Sequence, residues 1–98
     1  MVSRNPSEDR PMEKQEKIAW LYEVIAGLDS AEACGLLLED LCTHKEVEKM
    51  ADRLYAAKLL LEGKTYSQVI AETDISSATL SRVSRSVQYG KGYRKFLK

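Results

Sequence analysis

The sequence predicts an all-α protein of about six short helices, and three observations carry this prediction. The 98 residues contain two prolines, both before residue 12, so proline interrupts no helix in the rest of the chain. No segment alternates apolar and polar residues as a half-buried strand does. Apolar residues instead recur at steps of three and four, which is the period of one helix face.

Two helices are predicted in the first third of the chain. The first runs from about Pro11 to Ala26, and Gly27 suits its C-terminal end. The second begins near Ser30, a natural N-cap. The first helix places five residues on one apolar stripe: Ile18, Leu21, Tyr22, Ile25 and Leu28. The second helix carries Leu36, Leu37, Leu38 and Leu41.

The third predicted helix is the best defined. Thr43 stands three residues before Glu46, the spacing of a capping box, and Gly63 ends the helix. One apolar face comprises Val47, Met50, Leu54, Ala57 and Leu61. Another comprises Tyr55, Leu59 and Leu60. A helix that is apolar on two faces must be covered on two sides. A second subunit could provide one cover, which predicts an interlocked homodimer; the alternative is a monomer with a crowded centre.

The charges are unevenly distributed, although the formal net charge is zero. Residues 1–63 hold 8 Lys and Arg against 13 Asp and Glu, a net −5. Residues 64–98 hold 7 against 2, a net +5. A basic segment on an acidic body is the electrostatic pattern of a nucleic-acid partner, although charge alone is equally compatible with an ordinary solvated surface.

The basic segment begins with two short helices joined by a turn. Thr65 is the expected N-cap of the first, which carries Val69 and Ile70. Asp74 lies at the turn, where its side chain can bond locally or tolerate a left-handed conformation, and Ile75 follows as a buried anchor. Either Ser76 or Ser77 caps the second helix, which runs to about Gln88 with Leu80, Val83 and Val87 inward. Gly90 and Gly92 break the chain, and a last short helix is anchored by Tyr93, Phe96 and Leu97.

This order of helix, tight turn and capped helix is that of a helix-turn-helix DNA reader. The start of a recognition helix must approach base edges closely, which favours small side chains with hydrogen-bonding groups. Four such residues stand there, and Ser81, Arg82 and Arg85 continue the exposed face. The four are Ser76, Ser77, Ala78 and Thr79. We therefore expect these seven residues to contact DNA, with Lys91 adding charge near phosphates.

A longer set of motifs resembles the Trp repressor superfamily, and in particular its small YerC/YecD-like group. The resemblance covers about residues 15–97 and is strongest from 41 to 90. It is carried in order by Leu41-Cys42-Thr43, the charged capping segment, Arg53, "LLLEGK" and "SSATLSRVSRS". It implies an all-helical, intertwined homodimer with two reading heads that bind a two-fold symmetric operator.

The resemblance also implies a candidate effector pocket. In the Trp repressor the indole lies between two arginines, which Arg53 and Arg82 match here. Leu41 and Thr43 match ligand contacts at the start of the third helix, and Ser86 matches a reader-helix serine. From the residues alone, Arg53 could instead form a surface ion pair with Asp52 or Glu46, and Arg82 and Arg85 could be solvated charges.

Two departures from the family pattern affect function. Val83 stands where the repressor has a glycine beside its reader-helix arginine, so it either fills the pocket or, as we favour, belongs to the core. We therefore expect no switching by tryptophan and no cofactor; the alternative is that tryptophan or a similar small effector binds. Ser67 matches a basic residue on the first reading helix, so the DNA sequence that is read should differ.

These observations suggest an organisation for the whole chain. We expect residues 1–10 to be a disordered arm and 11–98 a single helical domain. Within the domain, 11–63 would be the dimerisation core, 64–89 the helix-turn-helix and 90–98 the C-terminal helix.

Several classes of protein are disfavoured. Cys34, Cys42 and His44 do not match the spacing of a zinc site, and no catalytic array is present. No apolar run is long enough to span a membrane, and the N-terminus lacks a signal peptide, so we expect a cytoplasmic protein. The predicted function is a DNA-binding transcriptional regulator, a repressor, acting as a homodimer. The alternative is a helical protein-interaction module without specific DNA binding.

Overall fold

The computed structural model describes residues 10–97, which contain six α-helices and no strand. The helices are α1 (Lys14–Ala26), α2 (Ala31–Leu41), α3 (His44–Leu61), α4 (Tyr66–Glu72), α5 (Ser77–Tyr89) and α6 (Gly92–Phe96). The all-α prediction is confirmed. The expectation of a disordered arm falls largely on residues 1–9, outside the described part of the chain. The chain divides into two compact units, the first ending at Leu41 and the second beginning at Cys42.

Polar side chains fix most of the helix starts. Ser30 Oγ accepts the Ala33 N–H at 3.0 Å at the start of α2. At the start of α3, Thr43 Oγ1 accepts the Glu46 N–H at 3.1 Å, and Glu46 Oε1 accepts the Thr43 N–H at 2.7 Å. This reciprocal pair is the capping box that the sequence predicted.

The first helix begins later than predicted. The Glu13 N–H donates to Glu16 Oε1 at 2.8 Å, so Glu13 is the N-cap and α1 begins at Lys14 instead of Pro11. Arg10 adds two hydrogen bonds to the Glu16 carboxylate, at 2.8 and 3.0 Å. Residue preferences did not identify this start, because Glu is an uncommon N-cap.

The end of α3 is a Schellman motif. Gly63 adopts a left-handed φ of 91°, its N–H donates to Leu60 O at 3.0 Å, and the Lys64 N–H donates to Leu59 O at 3.1 Å. Gly63 therefore stops the helix as predicted. In the last turn Lys58 Nζ lies 2.5 Å from Glu62 Oε2, and this hydrogen bond lowers the pKa of the Glu62 carboxyl below its ordinary value.

The second unit contains the apolar core of the protein. Helix α3 packs against α4, α5 and α6. The buried apolar residues are Ala56, Ala57 and Leu59 of α3, Val69 of α4, and Leu80, Val83 and Val87 of α5. Leu60, Leu61, Ile75, Tyr93 and Leu97 pack around them. The predicted stripe on α3 is only partly buried here, since Met50 is exposed and Leu54 is 49% exposed.

The first unit has apolar helices without a buried residue. Neither α1 nor α2 contains a side chain that the chain buries fully. The large exposed apolar residues of this unit are Ile18, Trp20, Tyr22, Val24, Ile25, Leu36 and Leu41. Apolar residues therefore lie on more than one side of α1, and of the predicted stripe only Leu21 and Leu28 are half-buried within the described residues.

The C-terminal segment is tied closely to the end of α5. The Gly90 N–H donates to Ser86 O at 2.8 Å, and a Cβ at Gly90 would lie 2.7 Å from that oxygen. Gly92 begins α6 instead of breaking the chain. Tyr93 and Leu97 reach the core as predicted, but Phe96 is 78% exposed and does not anchor the segment in a single chain.

Candidate nucleic-acid interface

Residues 66–89 form the helix-turn-helix segment: α4, a turn at 73–76, and α5. Thr65 Oγ1 accepts the Gln68 N–H at 3.2 Å and so begins α4 as predicted. Val69 holds α4 to the core, and Thr73 Oγ1 donates to Val69 O at 2.8 Å where the helix ends. Within residues 10–97 no residue other than glycine has a positive φ, so Asp74 makes the turn without a left-handed conformation.

Helix α5 turns one face to the core. Its buried residues are Leu80, Val83, Ser84 and Val87, which follow one another at steps of three, one and three. Val83 is 2% exposed and belongs to the apolar core. The interpretation of Val83 as a core residue therefore agrees with its position in the structure.

The opposite face of α5 is the outer face, and it is hydroxyl-rich and cationic. It comprises Ser77, Ala78, Ser81, Arg82 and Arg85, all of them exposed. The helix contains no Asp or Glu. Within the described residues neither Arg82 nor Arg85 has an acidic partner within 4 Å, so both guanidinium groups are available to phosphates or base edges.

The start of α5 distinguishes two hydroxyls that the sequence left equivalent. Ser76 is the N-cap: its Oγ accepts the Thr79 N–H at 3.1 Å and donates to Thr79 Oγ1 at 3.1 Å. Ser77 is the first helical residue and is exposed. Thr79 is half-buried. The Ser76 hydroxyl thus supports the helix, whereas the Ser77 hydroxyl is presented to solvent.

The remaining predicted DNA contacts lie outside α5. Ser67 is exposed in the first turn of α4, and Lys91 is exposed at the start of α6. Neither has a side-chain hydrogen bond or ion pair with another described residue.

The five residues of the predicted effector pocket occupy different places in the chain. Arg53 is exposed on α3, without an ion pair to Asp52 or Glu46 within 4 Å in the described structure. Arg53 lines a cavity of about 240 Å³ together with Lys49, Asp52, Asp74, Ile75, Ser76 and Thr79. Ser86 lines another, of about 550 Å³, with Leu54, Gly90, Gly92, Tyr93, Phe96 and Leu97.

The other pocket candidates are engaged elsewhere or exposed. Thr43 is the N-cap of α3, Leu41 is the exposed last residue of α2, and Arg82 lies on the outer face of α5. Arg82 does not line either of these two cavities.

Sequence reasoning missed two hydrogen bonds that hold the helix-turn-helix segment. Tyr55 Oη donates to Glu72 Oε1 at 3.3 Å, joining α3 to α4. Arg94 Nε donates to Val87 O at 2.6 Å, joining α6 to α5. The partners are 17 and 7 residues apart, so no local spacing pattern reports either bond.

The described part of the chain contains no group of metal ligands and no membrane-spanning helix. Cys34 and Cys42 are free, half-buried thiols, and no three His, Cys, Asp or Glu side chains there gather as metal ligands. No helix between residues 10 and 97 is long and apolar enough to cross a membrane.

The fold and this surface together define a small helix-turn-helix protein. A family model of the Trp repressor protein matches residues 16–98. The chain belongs to the Trp repressor family, which is a family of DNA-binding regulators and not of enzymes.

Several known proteins share this family relationship. The chain is 43% identical over 70 residues to the uncharacterised protein YerC of Bacillus subtilis (strain 168), covering 71% of this chain and 67% of YerC. A TrpR-like protein from Eubacterium eligens superposes with a TM-score of 0.79 at 33% identity, covering 87% of this chain and 95% of that one. A candidate Trp repressor from Staphylococcus aureus superposes with a TM-score of 0.75 at 35% identity, covering 85% of this chain and 89% of that one.

The capping geometry of α5 predicts different effects for the two adjacent serines. Ser76→Ala should lower the free energy of unfolding by about 1 kcal/mol, because it removes the N-cap acceptor. Ser77→Ala should change it by less than about 0.5 kcal/mol, because that hydroxyl is exposed. Urea unfolding of both variants without DNA, at one protein concentration, measures the difference. Equal losses would show that Ser76 is not the cap.

Proposed function

We propose that this protein is a sequence-specific transcriptional repressor that binds an operator in double-stranded DNA as a homodimer, through residues 66–89. The observation that carries the proposal is the outer face of α5. That face begins at a capped helix N-terminus, presents small polar side chains first and free arginines after them, and contains no carboxylate. Small residues allow close approach to base edges, while the arginines reach bases or phosphates.

The charge of the second unit supports a nucleic-acid partner. Residues 42–98 contain 11 Lys and Arg against 6 Asp and Glu, a net +5. Residues 1–41 contain 4 against 9, a net −5. The positive charge therefore accompanies the helix-turn-helix segment, where it would neutralise phosphates and release counterions. A chromosomal operator as the partner implies a cytoplasmic protein.

Exposed apolar surface supports the homodimer. The first unit leaves α1 and α2 without a buried residue, and the second unit leaves Leu54 and Phe96 open beside the cavity of about 550 Å³. Apolar surface of this extent on a small protein marks an interface. Because the two units carry opposite net charges, the first unit of one chain is electrostatically suited to the second unit of another.

A symmetric dimer would present two copies of α5 to DNA. Two copies of a helix-turn-helix bind half-sites about one helical turn, or 10 base pairs, apart. The operator would accordingly be two-fold symmetric. Ser67, Ser76, Thr79 and Lys91 are supporting contacts in this proposal, beside the outer face of α5.

The exposed apolar surface also permits the alternative function, a protein-interaction module without specific DNA binding. DNA recognition requires an affinity for duplex that falls steeply with salt, because each phosphate contact releases a counterion. A protein-interaction module has no such requirement. A salt titration of duplex binding therefore separates the two functions.

Residues that read bases and residues that contact phosphates should respond differently to substitution. Ser81→Ala removes an exposed hydroxyl from the outer face of α5 and should reduce preference for operator over random DNA by about tenfold, within the usual range for one base contact. Lys91→Ala should weaken both DNAs alike and reduce the salt slope by about one unit. Fluorescence anisotropy at several salt concentrations measures both. If both variants lose affinity equally for all sequences, the assignment of reading positions is wrong.

The dimer predicts a specific effect at Leu54. Leu54→Glu should give a folded monomer at micromolar concentration, because the side chain is half exposed in one chain but would place an unpaired carboxylate in the interface. Gln88→Glu adds the same charge at an exposed position of α5 and should remain dimeric. Light scattering measures the mass against twice the 11.1 kDa of the chain. A monomeric wild-type protein, or a dimeric Leu54→Glu variant, contradicts the proposal.

We also propose that tryptophan does not switch this regulator. Val83 fills core space beside Arg82, where the Trp repressor has a glycine that leaves room for the indole. Calorimetry with millimolar tryptophan should show no saturable binding, and operator affinity should be the same with and without it. Saturable binding that raises operator affinity tenfold, about 1.4 kcal/mol of coupling, would contradict this. A Val83→Ala variant that alone gains binding would identify Val83 as the block.

A further inference from the structure

Two side-chain hydrogen bonds join different helices within residues 42–97, and both end on the helix-turn-helix segment. The Tyr55 hydroxyl of α3 donates to the carboxylate of Glu72, the last residue of α4. The guanidinium of Arg94 in α6 donates to the carbonyl of Val87, in the last turn of α5. Each helix of the segment is therefore connected to the body of the second unit near its C-terminal end.

The first connection acts on α4, which also packs against α3 and α5. Helix α4 has seven residues and buries one of them, Val69. A helix this short depends on tertiary contacts for its stability. Glu72, three residues after Val69, gives α4 a second side-chain contact, in this case with α3. The Glu72 carboxylate is exposed and accepts the Tyr55 hydroxyl at 3.3 Å, while its charge at the helix C-terminus gains nothing from the helix dipole.

The second connection completes the end of α5. The last carbonyls of a helix lack intrahelical donors, and the Gly90 N–H supplies one to Ser86. The Arg94 guanidinium donates a second such hydrogen bond, to Val87 O, and it places a positive charge at the C-terminal end of α5, which the helix dipole favours. The same bond fixes the end of α5 to α6, whose Tyr93 and Leu97 pack on the core.

We propose that Tyr55 and Arg94 are positioning residues that hold the helix-turn-helix segment in one orientation, so that the outer face of α5 meets DNA without help from a ligand. The inference rests on the proposed DNA-binding function and adds to it the residues that set the angle of the reading helix. Tyr55 and Arg94 act through Glu72 and Val87 and touch no base. Their loss should therefore reduce discrimination between sequences, which depends on the placement of α5, more than it reduces general attraction to DNA.

The chain offers matched controls for both residues. Tyr55→Phe removes one phenol hydroxyl, and Tyr89→Phe removes another from a side chain that is 81% exposed. Arg94→Met removes a cation with its hydrogen bond to α5, and Lys95→Met removes the neighbouring cation, which has no such bond. Glu72→Ala removes the acceptor from the other side and should reproduce Tyr55→Phe.

The DNA measurement compares operator and random duplex across a salt series. We expect Tyr55→Phe, Glu72→Ala and Arg94→Met each to lower the ratio of the two affinities by about threefold to tenfold, the range to which one net hydrogen bond converts. Tyr89→Phe should keep the wild-type ratio. Arg94→Met and Lys95→Met each remove one positive charge, so both should change the salt slope equally. A lower ratio of operator to random-duplex affinity in Arg94→Met alone is then due to the lost hydrogen bond to Val87.

A second measurement needs no DNA. Amide hydrogen exchange of the free protein should be at least about threefold faster in α4 for Tyr55→Phe and Glu72→Ala than for the wild type, with the interior of α3 unchanged. Tyr89→Phe should exchange as the wild type does. A wild-type protein without operator preference would refute the proposed function, and exchange in α4 would still decide whether Tyr55 positions that helix. Variants that match their controls in both measurements overturn the inference.

Discussion

The contact between α3 and α5 is the constraint on which the rest of the second unit depends. Ala56 and Ala57 of α3 are completely buried, and their small side chains allow the inner face of α5 to pack closely. Leu80, Val83 and Val87 occupy that face. Once this face is committed to the core, the other side of α5 must face outward. The same packing that stabilises the unit therefore orients its hydroxyls and arginines.

The two units differ in their core, their net charge and their exposed apolar surface. The second unit has a core of its own and a basic surface, whereas the first is acidic and exposes the apolar faces of both its helices. Exposed stripes with helical periodicity are stable only when another surface covers them. In the proposed homodimer, a second chain would cover these apolar faces and would also bring a second copy of α5, so dimerisation and DNA binding would be linked.

Sequence patterns predicted the parts of the fold that depend on neighbouring residues. Thr43 and Glu46 identified the start of α3, Gly63 its end, and the small residues after Asp74 the start of α5, because caps and turns are local. Periodicity found the apolar face of α3 that includes Leu54, but residue spacing does not show which chain covers a face. It also placed Phe96 in the core, where a single chain leaves it exposed.

The sequence also predicted part of the candidate site, namely the residues of the outer face of α5. The residues of the outer face follow from the spacing of Leu80, Val83 and Val87, since the opposite side of a helix with this buried stripe faces away from the core. Ser84, beside Val83, is buried with the stripe. The different roles of Ser76, the N-cap, and Ser77, an exposed residue, became clear only from the hydrogen bonds of the cap. The hydrogen bonds of Tyr55 and Arg94 could not be predicted from the sequence, because their partners are distant along the chain and one partner is a backbone carbonyl.

In the proposed homodimer the outward faces of two α5 helices bind DNA together. This is tested by a hydroxyl-radical footprint on duplex that the protein selects from a random library. The dimer should protect two regions related by two-fold symmetry, with centres about one helical turn apart. A single protected region, or no selected sequence at all, would contradict this proposal.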